Sequence, residues 1–456
     1  MPQTSMAISR PNRFVVDKNR FAGVRRFTSC SSPARRDFTP ARRGCRMRQG
    51  TIDSCRKDVV TPQPFPVHLL VELPRGAVPL DARLARTPLP GGPASAAPGG
   101  GILYGPYLEA LAAFLARDSF APLRNALSRL LDHPVPLEAV EAVRITSVKH
   151  GAIYHVARIT AHVASTEYSL AANTAMEPAQ QAFLENEFHV LQELQSASAP
   201  PRLPRACLLG EATYRDGSAP PRPFMLSILE WFEDFHEFHT SRGGPRKGPA
   251  VRVWAGTRDD LFLNAEQERI LYGGASAILT DCLDTRDFRQ IYPWHHAAGD
   301  FVVRLQGDDL RVRLITARDY RSLLALDNAP QAIWIGIAHF FLNLSMRMRL
   351  DRWEGTGDLA WAGAHILDGV IAGFVNAWSR KSEKLPQLPS AKEVMSVLRS
   401  FSEDEWLALA EIVLPQAMVE KEEIAFLEER LGTHVTELSS ALAGDGFRER
   451  AGRIGA

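Results

Sequence analysis

Cysteine is scarce and never closely paired. The chain has five in 456 residues, at Cys30, Cys45, Cys55, Cys207 and Cys282, and no CxxC. Without such pairs there is no basis for a zinc knuckle or a thioredoxin-like redox motif, and Cys207 and Cys282 read as buried thiols of a reducing, cytoplasmic protein. The first 50 residues lack the apolar core of a secretory signal and show no sustained amphipathic period. Long apolar runs are also missing. Residues 328–346 are uncharged, but they include Asn328, Pro330, Gln331, His339 and Asn343 and run into Arg347 and Arg349, so they read as a buried helix and not a transmembrane segment. No internal period indicates a solenoid.

Net charge is nearly absent, at +1 from 53 basic and 52 acidic side chains. Residues 1–60 nevertheless carry 14 Arg or Lys against four Asp, which leaves −9 on the rest. That sign argues against a polyanion-binding body, so no specific nucleic-acid partner is expected, and the arm supports only non-specific association with anionic surfaces. What is present is ordinary for a globular protein: 45% hydrophobic and 23% charged residues.

Residues 60–100 are rich in Pro, Gly and Ala and read as a linker, which puts the start of the folded body near Gly101. Apolar spacing over 107–131 predicts one or two packing helices, interrupted near Pro122. Alternating β-branched and aromatic residues then predict strands over 142–148, 153–163 and 166–174, followed by a helix over 179–195. A further apolar strand begins at PFMLSILE. Asn264 and Gln267 are in capping-box register for a helix over 264–278, and Ser402 and Glu405 for a later one. Residues 301–305 and 310–315 flank a polar turn as a hairpin. Helices are expected over 360–378, 391–398, 419–431 and 435–442, with Pro415 bending or ending the one that Ser402 begins.

The predicted class is α+β: a small mixed lobe followed by a larger helical one, with a ligand cleft at their junction. The expected division is a disordered basic arm and linker (1–100), a sheet-bearing lobe with leading helices (101–229), a helical lobe with a loop and hairpin (230–385), and a C-terminal helical extension (386–456).

Within that order, VKHGAIYHVARI, ENEFHVLQEL, ILEWFEDF and IYPWHHAAGDFVVR together resemble the protein-kinase-like fold over roughly 140–378, in particular its aminoglycoside and choline phosphotransferase branch. The resemblance implies ATP and Mg²⁺ as cofactors and a small hydroxyl compound as acceptor. It sets Gly151 in the turn over the nucleotide phosphates, Glu187 as the acidic partner on the helix, and Glu230–Phe232 at the adenine edge. Anchored on FVV, it gives His295 the catalytic-Asp position and Asp300 the metal-binding-Asn position. Thr316 takes the second metal position, with Asp319 three residues beyond. The lysine expected near Ala171 and Ala172 is missing.

The residues leave two chemistries open. In a rewired site His295 accepts a proton near neutral pH, Asp300 and Asp319 hold the metal, Lys149, His150 and Arg158 offset phosphate charge, and Trp231 stacks on a base. Each also has a structural reading: Asp300 capping a turn, His295 or His296 anchoring a loop, Arg158 facing solvent, and Trp231 packing a strand. Asp234, His236, Glu237 and His239 form a second polar cluster that suits a surface network better than a metal. The leading expectation is a divergent kinase-like protein binding a nucleotide or small phosphorylated ligand, with altered Mg²⁺-dependent transfer. The alternative is an inactive pseudokinase with a protein partner and a regulatory role.

Overall fold

The computed structural model describes residues 64–90, 101–151, 153–196, 202–217, 220–245, 248–255, 261–295, 299–307, 309–324, 332–417 and 420–444. The basic arm and His296 lie outside them, as does the side chain of His150.

In chain order the elements are β1 (Val67–Leu73), β2 (Gly76–Pro79), α1 (Tyr104–Leu115), α2 (Arg117–Leu131), β3 (Val140–His150), β4 (His155–Val163), β5 (Thr166–Ala175), α3 (Pro178–Ser196), β6 (Ala206–Tyr214) and β7 (Arg222–Glu230). Then follow β8 (Phe238–Ser241), β9 (Ala250–Val253), β10 (Leu261–Phe262), α4 (Ala265–Asp281), β11 (Arg289–Ile291), β12 (Phe301–Gln306), β13 (Asp309–Leu314), β14 (Tyr320–Ser322) and α5 (Ala332–Arg347). The chain closes with β15 (Leu350–Arg352), β16 (Leu359–Trp361), α6 (Leu367–Lys384), α7 (Ala391–Ser400), α8 (Glu403–Ala417) and α9 (Lys421–Ala443).

One seven-stranded sheet, ordered β2-β1-β3-β4-β5-β7-β6, dominates the first half. All its pairings are antiparallel except β1 with β3. Side-chain alternation gives the sheet two faces. Ala157, Ile159, Leu170, Ala172, Leu226 and Ile228 are buried in one core together with α1 and α2. The opposite face, carrying Val156, Ala171, Asn173 and Leu229, fronts a cleft. A second core joins α3 to α4–α9 and the β12–β13 hairpin. The chain is thus a mixed α+β structure with two apolar cores.

Part of the expected linker is folded. Pro66 and Pro74 flank β1, and Pro79 ends the edge strand β2, where a missing N–H costs no ladder bond. Phe65, Val71 and Leu89 are buried with α1 and α2. The interruption expected near Pro122 is present. It falls at Asp118, Ser119 and Phe120, all at positive φ, and Pro122 continues within the helix.

Both local caps form as the spacing predicts. Asn264 accepts from the N–H of Gln267 at 2.9 Å, and Ser402 from the N–H of Glu405 at 3.3 Å. Residues 360–366, expected as helix, instead give the last residues of β16 and a short 3-10 turn, with α6 starting at Leu367. The two final helices are one, α9, running through Gly432 without interruption. The uncharged segment becomes α5, in which His339 and Asn343 are buried. No helix among the described residues is long and apolar enough to cross a membrane.

Candidate functional site

A cavity of about 220 Å³ separates the second face of the sheet from the β12–β13 hairpin and the segment that follows β7. Lys149, Gly151, Glu187, Glu230, Trp231 and Asp300 line it, so six sequence-selected residues come together. Its apolar lining includes Val156, Ala171, Leu229, Phe232, Phe235, Val302 and Ile315. Ala171 stands where the phosphotransferase resemblance would call for lysine.

The polar end is assembled from distant segments. Asp300 is 1% exposed and precedes β12. Gly299 beside it has φ +73°, and a Cβ there would come 2.6 Å from a Glu237 carboxylate oxygen, so glycine allows Glu237 to reach the cleft. Lys149 then pairs with Glu237. Two nitrogens of Arg318, each at 2.5 Å, donate to the two carboxylate oxygens of Asp300. The N–H of His295 adds a third donor at 2.6 Å. Such bidentate charge-assisted contact satisfies the carboxylate where it has lost water. Burial disfavours the Arg318 charge, and the paired Asp300 more than offsets it, so the guanidinium holds its proton more firmly than usual.

Glu187 on α3 is 3% exposed. It accepts from the Thr316 hydroxyl, from the N–H of Ala317 at 3.2 Å and from the Tyr154 hydroxyl. Burial nonetheless raises its pKa, with the Thr316 and Tyr154 hydroxyls and Arg318 opposing the shift. Tyr154 comes from the β3–β4 turn, where the Gly151 N–H bonds the Tyr154 carbonyl at 2.8 Å. Burial and the nearby Glu187 push its phenol upward. Glu230 is also shifted up, chiefly by burial, while accepting the Arg205 N–H at 3.2 Å.

Three selected residues lie elsewhere. His295 does not line the cavity. Its ring is 3.0 Å from an Arg347 nitrogen and 3.7 Å from Glu423, two buried groups on α5 and α9. Asp319 also lies outside the cavity: its carboxylate accepts the Tyr320 N–H at 2.8 Å and pairs with Arg321 at 3.4 Å. Arg158 shares the cleft-side face of β4, but its guanidinium lies over Trp231 and pairs with Glu233 at 2.6 Å. The second polar cluster is dispersed: Glu237 enters the cleft, His236 bridges to Val303, and buried His239 packs its ring, tilted, against Trp254 at 4.3 Å.

Mg²⁺ needs near-octahedral oxygen ligands. Both Asp300 oxygens already face Arg318, Thr316 donates to Glu187, and Asp319 is outside the cavity. Among the described residues no group of three or more His, Cys, Asp or Glu could hold a metal. These residues do not fit the ion. Sequence reasoning missed Arg318, Tyr154 and Glu237 as members of this site. The available signal was TARDY, where Arg318 lies between the two positions weighed as metal ligands.

No family model matches the chain, and no curated protein matches it. Among solved structures it has a weak likeness to the structure of a microcompartment-associated aminopropanol kinase, at 10% identity and a TM-score of 0.23, covering 72% of this chain and 98% of that one.

Proposed function

We propose that this chain is a divergent kinase-like protein that holds a small ligand with a planar, apolar part in the cleft and does not transfer phosphoryl groups through magnesium. The observation that carries this reading is Arg318 on both oxygens of Asp300. Phosphoryl transfer by the kinase route needs cations free to neutralise phosphate oxygens, and carboxylates free to hold the metal. Here Lys149 is committed to Glu237 and Arg318 to Asp300. The apolar slot beside Trp231 remains and suits a heteroaromatic ring.

The test is calorimetric titration of the full chain with adenosine and with ATP, each with and without Mg²⁺, alongside an assay for ADP release. Adenosine binding, with ATP binding indifferent to Mg²⁺ and no turnover, is expected. Mg²⁺-dependent ADP release would overturn the reading, as would failure of both compounds to bind.

A further inference from the structure

Strand alternation sets Arg304, Arg311 and Arg313 on one face of the β12–β13 hairpin, since Arg304 pairs with Arg311 and Val302 with Arg313 in the register. The other face, with Phe301, Val303, Val312 and Leu314, is buried in the second core. Two arginines directly opposite one another repel, which is a cost the fold carries. Arg311 is relieved by Asp309 at 2.8 Å. Arg304 and Arg313 form no ion pair with a described carboxylate, and Glu233, the nearby acid on the segment after β7, is committed to Arg158. Burial lowers the Arg313 pKa and Arg202, Arg304 and Arg311 add to this, with Glu230 the one opposing carboxylate.

This face adjoins the cleft. Val302, the register partner of Arg313, lines the cavity together with Phe232 and Phe235. Arg313 lies over both rings, at 5.8 and 5.4 Å, and Arg304 over Phe235 at 5.2 Å. Stacking fixes both guanidinium groups against two rings that line the cavity. One Arg313 nitrogen donates to the Val312 carbonyl at 3.1 Å, and the remaining N–H groups of Arg313 and those of Arg304 are left able to donate. Two guanidinium forks suit the several oxygens of a phosphate.

We infer that Arg304 and Arg313 form an anion subsite at the hairpin side of the cleft mouth, taking the phosphate of a ligand whose planar part occupies the cleft. Phosphates would then leave the cleft beside Phe232 and Phe235, away from the Arg318–Asp300 pair. The inference rests on the proposed cleft binding for the planar part alone.

Metal-free calorimetry on the full chain with adenosine, ADP and inorganic pyrophosphate separates the two ideas. ADP should bind the wild type about tenfold more tightly than adenosine, and less so as salt is raised. The Arg304→Gln/Arg313→Gln variant should lose that gain and its pyrophosphate binding while binding adenosine as before. Arg286→Gln, an exposed charge beside Asp284, controls for net charge. If the double variant melts early, Arg304→Gln alone should show a partial loss. ADP no tighter than adenosine, or a gain that survives the double variant, overturns the subsite. Arginine-dependent pyrophosphate binding without adenosine binding would keep the subsite and overturn the cleft reading. Adenosine binding without pyrophosphate binding would do the reverse.

Discussion

Arg318 and Asp300 meet fork to fork, with two contacts of 2.5 Å at the polar end of the cleft. Asn186 on α3 steadies the partnership by donating to the Arg318 carbonyl at 2.9 Å. A buried pair of this kind is worth little against an apolar replacement, yet removing one member is costly because the other stays buried and charged.

Arg318→Gln should therefore destabilise the protein by about 3–5 kcal/mol in urea unfolding. Arg318→Gln combined with Asp300→Asn should cost clearly less than the two single changes added together. Additive losses would show that the pair is not a coupled unit.

His434 supplies a pH test. It is buried between Ser345 and Arg349, and Arg349 in turn pairs with Glu437. Burial, and then the Arg349 charge, draws its pKa down to about 3 from an ordinary 6.5. The folded imidazole stays neutral where the unfolded one takes up a proton, so stability falls as pH drops from about 6.5 toward 3. Between pH 7 and 5 this amounts to about 2 kcal/mol. His434→Gln should reduce the fall measured by chemical unfolding at those two pH values. An unchanged fall would remove His434 from the explanation.

Two glycines in helices should respond with opposite signs to alanine. Gly432 on α9 has nothing within 4 Å of a Cβ built there, so Gly432→Ala should stabilise by about 0.5–1 kcal/mol. A Cβ on Gly373 of α6 would sit 2.0 Å from the Gly273 carbonyl of α4. Gly373→Ala should destabilise by at least about 3 kcal/mol despite its better helix propensity. Thermal melts decide, and equal signs would contradict the close α4–α6 crossing.

Val71 on β1 is fully buried whereas its neighbour Glu72 is exposed. Val71→Asp should cost more than about 3 kcal/mol, and Glu72→Lys less than about 0.5 kcal/mol. Similar small effects in chemical unfolding would mean that this strand does not belong to the core.

Features fixed by near neighbours were legible in the sequence. The Asn264–Gln267 and Ser402–Glu405 caps need only three-residue spacing, and strands β3 to β5 declared themselves by alternation. β1 did not, because its pairing with β3 is parallel and spans more than 70 residues, and the prolines that flank it resemble those of a linker. Glu187, Glu230, Trp231 and Asp300, singled out in the sequence by a resemblance, line one cavity. Arg318 was not singled out, since its meaning depends on Asp300 eighteen residues earlier. His295 and Asp319 show the same limit: the resemblance set them at one site with Asp300, while their side chains engage Arg347 and Glu423 in the one case and Arg321 in the other.

The backbone exchange between His236 and Val303, 2.8 Å in each direction, splices the segment after β7 onto the edge of β12. On the other side of the hairpin Val312 presses so close to Gly274 of α4 that a Cβ there would lie 2.7 Å from its methyl group. The hairpin wall of the cleft is thus tied to the segment after β7 on one side and to helix α4 on the other. On the opposite wall the Tyr154 hydroxyl, from the β3–β4 turn, reaches Glu187 on α3 and so ties that turn to the helix.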